Sequence, residues 1–239
     1  MTQRWSAVVA EFFGTAALVA TVVGSGIMGS ALSGDLGVVL LINAASTVLA
    51  LALLIWLLLP VSGAQFNPVV SAVAALQTTA ERGRALAQLA RFVPAQVLGA
   101  IAGAALANVM FGLPAIEIAS TDRVTPGTLL GEVVATAALV LIIFLGVARE
   151  QFRLLPLLVA GWIGAAYFFT SSTSFANPAF TIGRMFSDSF AGIAPNAVLP
   201  FIAAQALGAA LGAVAAAAIN RSTGSLEAAP TTATEEKQS

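Results

Sequence analysis

Two Asn-Pro dipeptides, Asn67-Pro68 and Asn177-Pro178, each open an apolar stretch, 67–77 and 177–187, that is too short to cross a bilayer. Proline fits the first turn of a helix, so each stretch reads as a half-helix whose N-terminus lies at the asparagine. Such an end, in a medium of low dielectric, carries roughly half a positive charge. The asparagine adds an amide with two N–H donors. Two of these ends facing one point would repel cations, hydronium included, while offering hydrogen bonds to a neutral oxygen. Each asparagine also suits capping of its own helix, and that role is compatible with lining a passage.

Glu11 and Glu132 lie inside long apolar stretches. An intramembrane carboxylate suggests an ion site or a proton relay, as in a coupled transporter. The other reading is structural: each accepts hydrogen bonds from the irregular backbone that leads into the half-helix of its own half. Gln96 and Gln205 suit the same service to loop backbone. The chain has no histidine and no cysteine. Disulfides, thiol chemistry, His/Cys metal sites and histidine general bases are therefore excluded. No nucleophile–base pair or metal cluster is apparent, so neither an enzyme nor a cofactor is expected.

The elements that must position these residues follow from composition. Of 239 residues, 59% are hydrophobic and 9% charged, and mean hydropathy is +0.95. A soluble surface cannot be built from so few charges, so lipid must cover most of the exterior. The net charge of -1 argues against a nucleic-acid partner. Six stretches are long enough to span: 5–28, 36–59, 85–111, 127–147, 154–171 and 196–219. A secretory signal is the rival reading of the first, but its length and Glu11 favour a retained span. Placing the N-terminus in the cytoplasm leaves eight of the ten Lys and Arg inside and only Arg123 and Arg184 outside, as the positive-inside rule expects. Residues 221–239 are polar and repetitive and read as a disordered cytoplasmic tail. Trp5, Trp56 and Trp162 read as interfacial anchors.

The chain repeats itself. Ala10-Glu11-Phe12-Phe13-Gly14-Thr15-Ala16-Ala17-Leu18-Val19 returns as Gly131-Glu132-Val133-Val134-Ala135-Thr136-Ala137-Ala138-Leu139-Val140. Ala95-Gln96-Val97-Leu98-Gly99-Ala100 returns as Ala204-Gln205-Ala206-Leu207-Gly208-Ala209. With the two Asn-Pro pairs the offsets are 121, 109 and 110 residues, in the same order. Each half (1–111 and 127–220) holds three spans and one half-helix. An odd number of spans inverts the second copy, so the halves are related by a pseudo-two-fold axis in the membrane plane. The predicted fold is an all-α membrane protein of six transmembrane helices and two re-entrant half-helices that meet at Asn67 and Asn177.

Ser62-Gly63-Ala64-Gln65-Phe66-Asn67-Pro68-Val69 and Ser174-Phe175-Ala176-Asn177-Pro178-Ala179 resemble the paired Asn-Pro-Ala boxes of the aquaporin, or major intrinsic protein, family. The opening Ala-Glu-Phe-Phe-Gly-Thr and the Ala-Gln-x-x-Gly-Ala spans fit as well. The resemblance implies a homotetramer in the plasma (inner) membrane, each protomer with its own pore for water or small neutral polyols such as glycerol. It also implies a four-residue constriction. Counted without gaps from the boxes, that filter falls at Thr47, Ala165, Ser174 and Phe180.

The departures from the family pattern matter. Val69 ends the first box where alanine is usual, Gln65 replaces a usual histidine, and Phe180 stands where most members have arginine. A filter without His or Arg implies solutes wider than water. The stretch 167–178 with Arg184-Met185-Phe186-Ser187-Asp188 is similar to bacterial aquaporins encoded beside arsenic-resistance genes, which implies neutral metalloid species among the solutes. Arg184, one turn after Phe180, either lends positive charge to the outer mouth or pairs with Asp188 at i+4. The competing functions are a strict water channel, with Phe180 narrowing the filter, and a proton-coupled secondary transporter using Glu11 and Glu132.

Overall fold

The computed structural model describes residues 3–78 and 80–227, with side chains from 5 to 221. The described residues form eight helices: α1 (Gln3–Leu32), α2 (Leu36–Ser62), α3 (Pro68–Gln77), α4 (Arg82–Met110), α5 (Pro126–Ala148), α6 (Leu155–Phe169), α7 (Pro178–Arg184) and α8 (Pro195–Glu227). Their starts are written locally. Asp35 caps α2 by accepting from the Gly37 and Val38 amides, and Thr125 and Thr128 form a reciprocal capping box on α5. Proline occupies the first turn of α3, α5 and α7. Gly63, at φ 87°, ends α2 in the left-handed conformation that glycine adopts without strain.

The order long, long, short, long occurs twice. α1 lies against α4, and α5 lies against α8, in the same way. Gly99 and Gly103 of α4 face the Phe12 and Ala16 carbonyls, while Gly208 and Gly212 of α8 face those of Val133 and Ala137. A Cβ at any of the four would collide with backbone, so small residues set both crossings. The interior is mainly apolar but encloses a set of polar groups, and the outer surface is apolar as well. Glu11, Gln96, Glu132 and Gln205 are fully buried, whereas Phe13, Leu49, Leu157 and Leu199 project from the outer surface. An apolar exterior, with the polar groups kept from it, is what a lipid solvent selects.

Three boundaries differ from expectation. Five helices are long and apolar enough to cross a bilayer by themselves, but α6 has 15 residues, about 22 Å, where the stretch 154–171 was expected to span. Its chain leaves the helix at Thr170 to supply the loop that enters α7. The second half-helix stops at Arg184, short of 187, because Met185 and Phe186 tighten the turn with bonds to the carbonyls of Ile182 and Gly183. The helix α8 continues to Glu227, so residues 221–227 are helical and not part of a tail. No proline falls within 221–227. Residues 228–239 lie outside the described residues. Trp162 donates its Nε1–H to the Ala135 carbonyl at 2.9 Å, tying α6 to α5.

Candidate functional site

Asn67 caps α3, its Oδ1 accepting from the Val69 amide at 3.1 Å. Asn177 caps α7, its Oδ1 accepting from the Ala179 and Phe180 amides at 3.0 and 3.3 Å. The Nδ2 groups cross between the halves. Asn67 donates to the Ala176 carbonyl at 2.8 Å, and Asn177 donates to the Phe66 carbonyl at 2.7 Å. The two half-helices therefore abut N-terminus to N-terminus. Each amide uses one N–H in this exchange and retains a second. Pro68 and Pro178 begin the two helices, and Val69 and Ala179 are buried in their first turns.

The loops before the half-helices are bent by a buried carboxylate. Glu11 accepts from the amides of Gln65 (3.0 Å) and Phe66 (2.7 Å), from the Ser62 hydroxyl (2.6 Å) and from Gln96 Nε2 (2.8 Å). Glu132 accepts from the amides of Phe175 (2.9 Å) and Ala176 (2.8 Å) and from Gln205 Nε2 (2.6 Å). The glutamines hold the carboxylates instead of the loop backbone, because the glutamates already take those amides. Each also donates to its half-helix, Gln96 to Ser71 at 3.0 Å and Gln205 to Thr181 at 2.9 Å.

This wiring decides where the loop carbonyls point. A trans peptide sets its N–H and C=O in opposite directions, and no peptide bond among the described residues is cis. Drawing the amides of Gln65, Phe66, Phe175 and Ala176 to the glutamates turns the carbonyls of Ala64, Gln65, Ser174 and Phe175 the other way. The backbone accommodates this with left-handed conformations at Ala64, Phe66, Ser174 and Ala176, at φ 46°, 49°, 54° and 48°. Non-glycine residues adopt that region at a cost of about 1 kcal/mol or more each, and such strain gathers at functional sites.

The four residues that carry those carbonyls line a cavity of about 490 Å³. It runs from Thr78 and Phe152, past Ala64, Asn67 and Asn177, to Thr47, Ser174 and Phe180. One wall carries the loop backbone and the asparagines; the other is apolar, with Leu51, Ile55, Leu139, Ile143 and Val159. Neither Glu11 nor Glu132 lines it.

Ala165 does not join Thr47, Ser174 and Phe180. It is exposed on the outer surface of α6. Two residues on, about 200° round the helix, Tyr167 faces inward and lines the cavity. Thr47 gives its proton to the Asn43 carbonyl at 2.7 Å, so the Tyr167 hydroxyl, 3.1 Å away, donates to Thr47. The Ser174 hydroxyl is buried without a protein partner. A span otherwise apolar and holding the sole tyrosine of the chain was the signal for Tyr167.

Arg184 does not pair with Asp188. The Asp188 carboxylate accepts from the amide and hydroxyl of Ser120, at 2.9 and 3.0 Å, in the connection between the halves. Arg184 is buried, its Nε donating to the Ala191 carbonyl and its guanidinium stacked on Phe175 with Cζ 3.5 Å from the ring centroid. Phe175 lines the cavity.

An inverted repeat of helices around two abutting half-helices, enclosing an elongated cavity, defines a membrane channel architecture. The family described as Major intrinsic protein matches residues 1–175, and the chain belongs to it. Aquaglyceroporin AqpS of Rhizobium meliloti (strain 1021) is 46% identical over 201 residues, 84% of this chain and 84% of that protein. The X-ray structure of the aquaglyceroporin from Plasmodium falciparum superposes with a TM-score of 0.70 at 20% identity, covering 93% of this chain and 98% of that one. At that identity the likeness concerns the fold.

Proposed function

We infer that this protein is a passive channel for small neutral solutes, water and glycerol-like polyols among them. The observation that carries the reading is the reciprocal Asn67–Asn177 arrangement on the wall of one elongated cavity. A hydroxylated solute donates to the carbonyls of Ala64, Gln65, Ser174 and Phe175, accepts from the free N–H of each asparagine, and rests its carbon face on the apolar wall. It exchanges water hydrogen bonds for wall hydrogen bonds at little net cost. A cation meets two helix N-termini and finds no carboxylate on the wall.

Thr47, Tyr167, Ser174 and Phe180 form the filter in this reading, with Arg184 adding positive charge behind it. The filter is hydroxyl-bearing on one side and aromatic on the other, which suits polyols, urea and neutral metalloid acids, whose hydroxyls use the same acceptors. The terminal face is cytoplasmic, the membrane is the plasma (inner) membrane, and the assembly is a homotetramer.

The test is solute flux into proteoliposomes followed by light scattering. Glycerol and urea entry well above that of empty liposomes is the expected result. Rapid water flux with no entry of either solute would instead support the strict water channel, which the two aromatic rings of Tyr167 and Phe180 at one end of the cavity favour. A coupled transporter is disfavoured because both glutamates lie off the wall with their oxygens committed to loop donors.

A further inference from the structure

Arg123 and Arg184 converge on one ring. Arg123, in the connection between the halves, places its Cζ 5.5 Å from the Phe175 centroid, and Arg184 places its Cζ 3.5 Å from the same centroid. Three consecutive carbonyls orient them. Arg123 donates Nε to Gly192 at 2.6 Å and Nη2 to Phe190 at 2.8 Å, and Arg184 donates to Ala191. Neither meets a carboxylate: among the described residues the one ion pair is Glu81–Arg84, exposed at the start of α4. Glu132 attracts both at longer range, but its oxygens are taken by Phe175, Ala176 and Gln205.

Carbonyl dipoles and an aromatic face orient a guanidinium without cancelling its charge. Two like charges held at one ring also repel each other. Anchoring a loop needs neither charge, since a neutral donor would serve the same carbonyls without desolvating a cation. The arrangement therefore has an electrostatic consequence that its packing does not require. Phe175 lines the cavity beside Ser174, and the four residues at that end, Thr47, Tyr167, Ser174 and Phe180, are all uncharged.

We propose that Arg123 and Arg184, acting from behind Phe175, form the cation barrier at the Phe180 end of the pore, which makes Arg123 a specificity-determining residue of the channel. The proposal rests on the channel reading above. The charge is set back by one ring, so it raises the local potential without occupying the lumen. A neutral solute is unaffected, and the bore is left free of a guanidinium.

The test uses the full chain in proteoliposomes, with glycerol entry followed by light scattering and proton leak followed by an entrapped pH dye under a valinomycin-clamped potassium potential. Glycerol entry persists in Arg123→Gln, and proton leak is read in Arg123→Gln, Arg184→Gln and the double variant. Proton leak rises on the order of tenfold per charge removed, the effect of a unit charge across roughly 10 Å at an effective dielectric of about 20. Arg123→Lys and Arg184→Lys keep the leak low. Where the double variant does not assemble, Arg123→Gln alone decides, because its site is in the connection and outside the spans. An unchanged leak with glycerol entry intact overturns the proposal, and so does a leak in the lysine variants equal to that in the glutamine ones, which would mark a structural role. Absence of both water and glycerol entry in the unaltered protein defeats the channel reading itself and is distinct from either result.

Discussion

Gly14 on α1 faces the ring of Phe66 in the loop before α3, with no room for a methyl group between them. The equivalent positions in the second half are Ala135 and Ala176, both fully buried. The second half thus carries alanine at both positions where the first sets glycine against phenylalanine. Gly14→Ala is expected to destabilise the protein by about 1–3 kcal/mol through overpacking. Adding Phe66→Ala installs the second-half pair in the first half and recovers part of the loss. Thermal unfolding in detergent of both single variants and the double measures the coupling. Additive losses would mean that the two residues do not meet.

Glu11→Gln and Glu132→Gln each replace a carboxylate oxygen with an NH2 group that faces donors already in place. Leaving a buried donor unmade costs about 1–3 kcal/mol, and more where the lost partner was charged. Both variants should lower the unfolding temperature and the solute flux together. The unaltered protein should move glycerol down its gradient at a rate that an imposed pH gradient does not change. Uphill glycerol accumulation driven by protons would overturn this account of the glutamates.

Much of this was legible in the sequence because symmetry constrains it. Duplicated Glu, Asn-Pro and Gln positions announced an inverted repeat, and hydropathy placed the long helices. The direction of a side chain near a helix end was not legible. Counting backwards from Asn177 placed Ala165 in the filter, but the loop between α6 and α7 shifts the inward face by two residues, to Tyr167. The glutamine partners were missed for a related reason, since spacing cannot show that the loop amides are already taken. Arg184 and Asp188 are one turn apart in sequence, yet the helix ends between them and Asp188 turns to Ser120.

Asn67→Asp keeps the cap on α3, since an aspartate oxygen accepts from the Val69 amide as well as the amide oxygen does. It removes the donor to the Ala176 carbonyl and sets a carboxylate oxygen against it. We expect glycerol flux to fall severalfold, with proton and sodium leak appearing, as negative charge replaces a donor where the helix ends converge. Asn67→Ala loses the cap as well, about 1 kcal/mol, and should lower flux without opening a cation leak. Equal cation leak in the two variants would show that the helix junction, and not its charge, excludes ions.

The last prediction separates the two filter assignments. Tyr167 donates to Thr47 and faces the cavity, whereas Ala165 faces outward. Tyr167→Ala removes both the hydroxyl and most of the ring, so four- and five-carbon polyols should enter severalfold faster than through the unaltered protein. Tyr167→Phe keeps the width and loses only the bond that holds the ring to Thr47, so it should change glycerol flux by less. Ala165→Val adds bulk on the outer surface and should leave every solute rate as it was. Phe180→Arg places a long cation at the same end of the cavity and should narrow selectivity toward water. Scattering rates for water, glycerol and a five-carbon polyol across the four variants read all of these at once. A loss of polyol flux in Ala165→Val, with none of the expected gain in Tyr167→Ala, would return position 165 to the pore and put the orientation of α6 in error.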